Sequence, residues 1–263
     1  MRTLTTCAII AFFTCVSVAA IATEKITLYG DDDYAPYSYV ENGQFKGIYV
    51  DFIKQAATKL APDYDIELAP IPWRRGLLYL KDNSIFGLFP PYRHKERTYI
   101  QTYSVPFHQE TIVLFCSDEI MKKPHEKFPD DFVGLTIGIN LGYFLSSTLQ
   151  DAAKQGKIIL KEGKGNNINI ERLADKKIDC YANDRASVQY SAHQLKIKSK
   201  KESRMSNFTL NETFVLSNEN AYISYCSSNT LPYKQDFIIR MDAAIDELNK
   251  AGAMNELINR DMQ

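Results

Sequence analysis

The sequence predicts an α/β protein of two lobes, each a mostly parallel sheet flanked by helices. Strand-like and helix-like segments alternate after residue 22, a strand-helix-strand-helix-strand order occurs twice, and the chain ends in an amphipathic stretch suited to packing on a finished sheet. A strand, a covering helix and a further strand give a parallel pair, because parallel neighbours need a crossover connection.

The first unit begins with the strand Lys25 to Tyr29 and, after a turn-rich loop, a helix with Asp51 near its start and an apolar face of Ile53, Ala56, Ala57 and Leu60. Ile66 to Ala69 is the next strand, Arg75 to Leu80 a short helix, Asp82-Asn83-Ser84 a turn, and Ile85 to Phe89 the closing strand. The second unit runs through the strand Leu135 to Ile139, the helix Leu145 to Ala153, the strand Ile158 to Lys161, the helix Ile168 to Asp175 and the strand Ile178 to Ala182. At the end, Phe237, Met241, Ala244, Ile245 and Leu248 form a helical stripe over Asp236 to Lys250, broken at Gly252 and resumed by Met254, Leu257 and Ile258.

Ahead of these units, Arg2 precedes an apolar run from Ala8 to Ala20 that ends in Ala20-Ile21-Ala22. A basic start, a run too short for a comfortable bilayer span and an Ala-x-Ala end predict a secretory signal peptide over residues 1–22. Cys15 lacks the small preceding residues of a lipoprotein site, since Phe12-Phe13-Thr14 stand there. Removing residues 1–22 from 263 leaves 241, enough for two small lobes each with a core. The signal takes one of 31 basic residues and none of 32 acidic ones, so the charge stays near balance and a nucleic-acid partner is disfavoured. The Lys-rich stretch Lys196 to Glu202 is expected to be a solvated loop.

Cys116, Cys180 and Cys226 follow the signal in a compartment that permits oxidation, where an odd number leaves at least one unpaired and at most one disulfide. All three sit in apolar strand-like stretches, so buried free thiols are the expectation. Their spacing fits no zinc pattern, and no nucleophile triad or phosphate loop is found; neither a metal nor a cofactor is implied.

At Gly30-Asp-Asp-Asp-Tyr34-Ala-Pro36, followed by Gly43 to Gly47 and Asp51, the chain resembles the extracellular solute-binding proteins of family 3, which serve polar amino-acid uptake. The likeness continues in Pro72-Trp73-Arg-Arg-Gly, in Glu96-Arg97 with Ser104-Val-Pro-Phe107, in Gly138-Ile-Asn-Leu-Gly142 and in Ile178-Asp179-Cys-Tyr-Ala-Asn-Asp184. It implies the periplasmic-binding-protein type II fold, with hinge crossings near residues 107–110 and 218–221, residues 23–107 and 221–263 in lobe one, and residues 108–220 in lobe two. It further implies a monomer in the periplasm that holds a small amino-acid-like ligand in the inter-lobe cleft, hands it to the membrane permease of an ABC transporter, and is not an enzyme. The alternatives are a receptor for a membrane signalling partner and a dehydratase-like enzyme, for which Glu110 and His108 are the only candidate acid-base groups.

A zwitterionic ligand needs a cation for its carboxylate and an anion for its ammonium. Arg97 matches the family's carboxylate-binding arginine, whose rigid fork of donors suits a carboxylate, and Asp184 its ammonium-binding aspartate. For these two the plainer readings are a surface salt bridge and a helix N-cap. Tyr34 and Trp73 match the aromatic walls, Trp73 being equally readable as core, and Asp31 a position that meets basic side chains in relatives. Departures from the family make the pocket more aromatic: Phe89-Pro90-Pro91-Tyr92 stand where relatives place small residues, and Tyr143 and Phe144 follow Gly142. The expected ligand-binding set is therefore Arg97, Asp184, Tyr34, Trp73, Asp31, Tyr92, Gly142 and Tyr143.

Overall fold

The computed structural model describes residues 23–199, 208–228 and 230–262; the stretch read as a signal peptide, residues 1–22, and residues 200–202 of the Lys-rich segment lie outside them. The chain opens with β1 (Glu24–Asp31), a small antiparallel sheet of β2 (Asp33–Tyr34), β3 (Ser38–Glu41) and β4 (Gln44–Lys46), then α1 (Ile48–Thr58), β5 (Tyr64–Ile71), α2 (Trp73–Lys81), β6 (Gly87–Phe89) and β7 (Thr102–Tyr103). From there β8 (His108–Cys116) leads to β9 (Thr136–Asn140), α3 (Ser147–Lys154), β10 (Ile159–Gly163), α4 (Gly165–Ala174), β11 (Cys180–Asp184) and α5 (Arg185–Lys198). The return strand β12 (Asn211–Ala221) is followed by β13 (Ser224–Tyr225), α6 (Lys234–Ala251) and α7 (Ala253–Asp261).

Two five-stranded sheets result, ordered β5-β1-β6-β13-β7 and β10-β9-β11-β8-β12. In the first, β5, β1 and β6 are parallel and β13 runs against them; in the second, β10, β9 and β11 are parallel, β8 runs against them, and β12, antiparallel to β8, runs with them again. The two connections between the sheets are one ribbon, since β8 pairs with β12 all the way to His108 opposite Ala221. Paired backbone limits the freedom of such a joint to bending and twisting of the ribbon as a unit.

Each sheet carries its own core. Ile26 and Leu28 of β1 are covered by Ile48, Phe52 and Ile53 of α1 and by Phe237, Met241 and Ile245 of α6, all buried. The four-residue spacing of the last three places them on one helix face, and full burial of each contributes about 2 kcal/mol. In the second sheet, Ile112 and Leu114 of β8 face one cluster while Val113 and Phe115 face another, so both sides of the strand are covered by helices there and residues 112–116 are apolar without alternation.

Besides the short strands β2, β3, β4 and β7, the helix α5 and the strand β12 were not anticipated. The inner face of α5 buries Ser187, Val188, Ser191 and Ala192, small residues that leave no apolar stripe to read, and Lys196 and Lys198 end this helix instead of lying in a loop. β12 has Asn211, Thr213, Ser217 and Asn218 among its apolar residues and is interrupted by register shifts.

The cysteines correct an expectation. Cys116 and Cys180 lie directly opposite each other on the antiparallel strands β8 and β11, with Cα atoms 4.0 Å apart, and form a disulfide; among the described residues only Cys226 is a buried free thiol. Two apolar strands, read separately, do not reveal which of their residues face one another. Protein lacking residues 1–22, unfolded without reductant, should therefore react with one equivalent of a thiol-alkylating reagent, and with three after reduction. Cross-linking residues 64 apart stabilises by about 4 kcal/mol in the chain-entropy account, so Cys116→Ser with Cys180→Ser should lower the unfolding midpoint markedly.

Candidate functional site

The loop that follows β1 brings two tyrosines to the joint between the sheets. Gly47, at the start of α1, has φ 126, and a Cβ there would collide with the carbonyl oxygen of Tyr37. Glycine thus lets the Tyr34–Tyr37 loop press on α1. Trp73 is the first residue of α2, directly after Pro72, and Arg97 closes a turn in which its amide donates to the His94 carbonyl at 3.1 Å. Tyr143 and Phe144 come from the other sheet's side, between β9 and α3.

These residues line one small cavity, formed by Asp31, Tyr34, Trp73, Pro90, Tyr92 and Arg97 from one lobe and by Tyr143 and Phe144 from the other. The Tyr143 hydroxyl donates to Asp31 Oδ2 at 2.6 Å across the cleft, and the Tyr143 ring stands edge-on to Trp73 with centroids 5.9 Å apart. Asp31, Trp73 and Tyr143 are shared with a wider outer compartment, which Arg74, Lys164 and Leu141 also line. The three therefore act as a septum between the inner cavity and the cleft mouth.

Arg97 is the cation of the inner cavity and is only 7% exposed. One of its N–H groups donates to the Tyr92 carbonyl at 3.0 Å, and its guanidinium lies 5.9 Å from the centre of the Trp73 ring. Among the described residues no ion pair involves it; burial weakens its hold on its proton. Asp31 is the anion of the same cavity. Burial raises its carboxyl to about 7, against the hydrogen bonds from Tyr143 and from the Asp33 amide.

Behind the cavity lies a belt of tyrosines around two further carboxylates. Glu110 on β8 accepts from the hydroxyls of Tyr34 and Tyr92 at one oxygen and from that of Tyr49 at the other, the last at 2.6 Å. Asp184, at the end of β11, accepts from the Tyr37 hydroxyl at 3.0 Å and from the amides of Ser187 at 2.8 Å and Thr111 at 3.2 Å. Burial first, and the neighbouring Asp184 charge second, raise Glu110 to about 8, while burial raises Asp184 to about 6. Further bonds close the cleft: Ser187 Oγ donates to the Ala35 carbonyl at 2.6 Å, and His94 Nε2 lies 3.1 Å from the Phe144 carbonyl.

Of the residues expected to bind ligand, Arg97, Asp31, Tyr34, Trp73, Tyr92 and Tyr143 are brought together around the inner cavity. Asp184 and Gly142 are not among its lining residues. Asp184 caps α5 and is tied to Tyr37, and the Gly142 amide donates to Glu162 at 2.9 Å within its own lobe. The cluster of Glu110 with Tyr34, Tyr49 and Tyr92 was missed: its members are 76, 61 and 18 residues from the glutamate. A carboxylate two residues ahead of the apolar run Ile112–Cys116 was the one available signal.

A family model described as bacterial extracellular solute-binding proteins, family 3, matches residues 26–261. No curated protein matches the chain. Among solved structures, an amino acid ABC transporter substrate-binding protein from Streptococcus pneumoniae bound to L-arginine is 15% identical, with 90% of this chain and 94% of that one covered and a TM-score of 0.69. An ancestral amino acid-binding protein, a precursor of cyclohexadienyl dehydratase, is 17% identical with 91% and 95% covered and a TM-score of 0.67. A histidine kinase sensor domain with similarity to periplasmic binding proteins is 14% identical with 90% and 96% covered and a TM-score of 0.70. These likenesses establish the two-lobed fold.

The buried carboxylates dictate how stability varies with pH. From 4.5 to about 8 the folded protein keeps a proton on Glu110 that the unfolded chain has lost, so stability falls as pH rises through that window. His94 and His108, lowered by burial from 6.5 to about 4, act in the opposite sense below 6.5. The interval from about pH 6.5 to about 8.5 therefore isolates the carboxylates, with Asp31 contributing near 7. Across it the thermal midpoint should fall, and Glu110→Gln should make the fall shallower; equal slopes would exclude Glu110 as a source.

Proposed function

The chain belongs to the bacterial extracellular solute-binding proteins, family 3, and from that premise we propose that it captures a single small amino-acid-like ligand in the inner cavity between its lobes. The reading rests above all on Arg97: a guanidinium buried beside a cavity, with one backbone acceptor and, among the described residues, no carboxylate in ion-pair contact, Glu219 acting on it only from farther away. A buried charge left in that condition costs free energy, and an incoming carboxylate offsets the cost with charge-assisted bonds.

In this reading Arg97 takes the ligand carboxylate and Asp31, oriented by Tyr143, takes its cationic group. Tyr34, Trp73, Tyr92 and Tyr143 supply flat walls that give contact area at low cost in side-chain entropy. Asp184 serves closure instead of ammonium binding, since its Oδ1 atom already accepts from Tyr37 of lobe one and from the α5 amide of Ser187. The division of the chain follows the paired ribbon, with residues 23–107 and 221–263 in one lobe and 108–220 in the other. Residues contributed by both lobes line the cavity, so a guest that bridges them favours the closed form over the open one.

The protein works in the periplasm after removal of residues 1–22, delivers its ligand to the permease of an ABC transporter, and turns nothing over. Support for the absence of chemistry comes from the candidate acid-base groups: both Glu110 oxygens accept tyrosine hydroxyls, and neither Glu110 nor His108 lines the cavity.

Mature protein screened by thermal shift against the L-amino acids should find a ligand that, at a hundred times its Kd, adds about 2.7 kcal/mol of stability. Arg97→Ala should abolish that gain without lowering the midpoint of the unliganded protein, and Asp31→Asn should reduce it. A gain undiminished in Arg97→Ala would remove Arg97 from the site.

A further inference from the structure

The inner cavity is poor in free hydrogen-bond donors. The hydroxyls of Tyr34 and Tyr92 are committed to Glu110 and that of Tyr143 to Asp31, while Pro90 and Phe144 have no side-chain donor. Two side-chain donors are left among the lining residues. One is the Arg97 guanidinium, which spends a single N–H on the Tyr92 carbonyl. The other is the indole nitrogen of Trp73, which is buried and has no hydrogen-bond partner among the described residues, in a side chain only 8% exposed.

An indole N–H can only donate, and leaving one unpaired in the interior costs its full desolvation, so buried tryptophans ordinarily find an acceptor. The ring cannot easily turn away to find another. It starts α2, meets the Tyr143 ring edge-on, and lies against the Arg97 guanidinium. A carboxylate offers two oxygens with about four acceptor positions, enough for donors from two neighbouring side chains at once.

Building on the ligand reading above, we infer that the Trp73 indole N–H is a second donor to the ligand's carboxylate, beside Arg97, and that this pair makes the site select an acid over its amide. An amide presents an NH2 group to one of two donors and leaves that donor unmatched, whereas a carboxylate satisfies both. Trp73 is then a specificity-determining residue and not a wall alone.

The test uses mature protein, titrated calorimetrically with each of the twenty L-amino acids; the tightest binder is then compared with its own α-carboxamide. Wild type should prefer the acid at least a hundredfold. Trp73→Phe keeps a ring beneath the guanidinium and removes the N–H; it should bind the acid about tenfold more weakly, change carboxamide affinity less than twofold, and leave the unliganded midpoint no lower. Because Trp73 is the chain's single tryptophan, wild-type emission gives a readout that needs no variant: the acid should shift it more than the carboxamide at saturation. Acid affinity unchanged in Trp73→Phe, equal losses for acid and carboxamide, or equal emission shifts would overturn the inference while leaving the ligand reading intact. If no amino acid binds wild type, or Arg97→Ala binds as tightly, the ligand reading falls and the inference with it.

Discussion

A guanidinium kept inside the molecule with no carboxylate in ion-pair contact, among the described residues, is the constraint on which the site depends. Burying an ion costs several kcal/mol even after relaxation, and a single carbonyl and an aromatic face return only part of that. The fold nonetheless provides Arg97 with both, from Tyr92 and Trp73, and so holds the fork of donors in place before any ligand arrives. Such preorganisation lowers the cost of binding, because the side chain need not be ordered in the act.

The same constraint explains where the acidic groups go. If Glu110 or Asp184 reached Arg97, it would neutralise the guanidinium and close the site to a ligand's carboxylate. Glu110 is instead surrounded by hydroxyls of Tyr34, Tyr49 and Tyr92, and Asp184 by Tyr37 and backbone amides. Tyrosine hydroxyls offer these carboxyls hydrogen bonds but no positive charge, so burial pushes both upward. Because the tyrosines come from lobe one and the carboxylates from β8 and β11, each such bond also helps hold the cleft shut. The joint that permits this is one β-ribbon, β8 against β12, entering and leaving between the lobes.

The alternation of strands and helices made the two sheets legible in the sequence, because each apolar strand is followed by a helix with a regular stripe. Reading failed where burial did not follow hydrophobicity. α5 buries serine and alanine, and β12 mixes Asn and Ser with its apolar residues, so neither carries a period. At the site, Arg97, Asp31, Tyr34, Trp73, Tyr92 and Tyr143 could be named from local motifs, since short segments near strand ends carry them. Asp184 agrees with the family in residue type and position but does not line the inner cavity; a tyrosine three residues beyond Tyr34, the first turn of α5 and the Thr111 amide donate to its oxygens. The Cys116–Cys180 bond and the Glu110 cluster depend on which strands become neighbours, which is a property of the assembled sheet and not of any segment.

A crystal structure of the mature protein grown with the L-amino acid that stabilises it most tests the account most directly. The account predicts the ligand between the lobes, with both carboxylate oxygens in hydrogen-bond contact with the inner-cavity donors and the guanidinium of Arg97 among them. A ligand seated elsewhere on the molecule, or one whose carboxylate points away from Arg97 toward solvent, would contradict it.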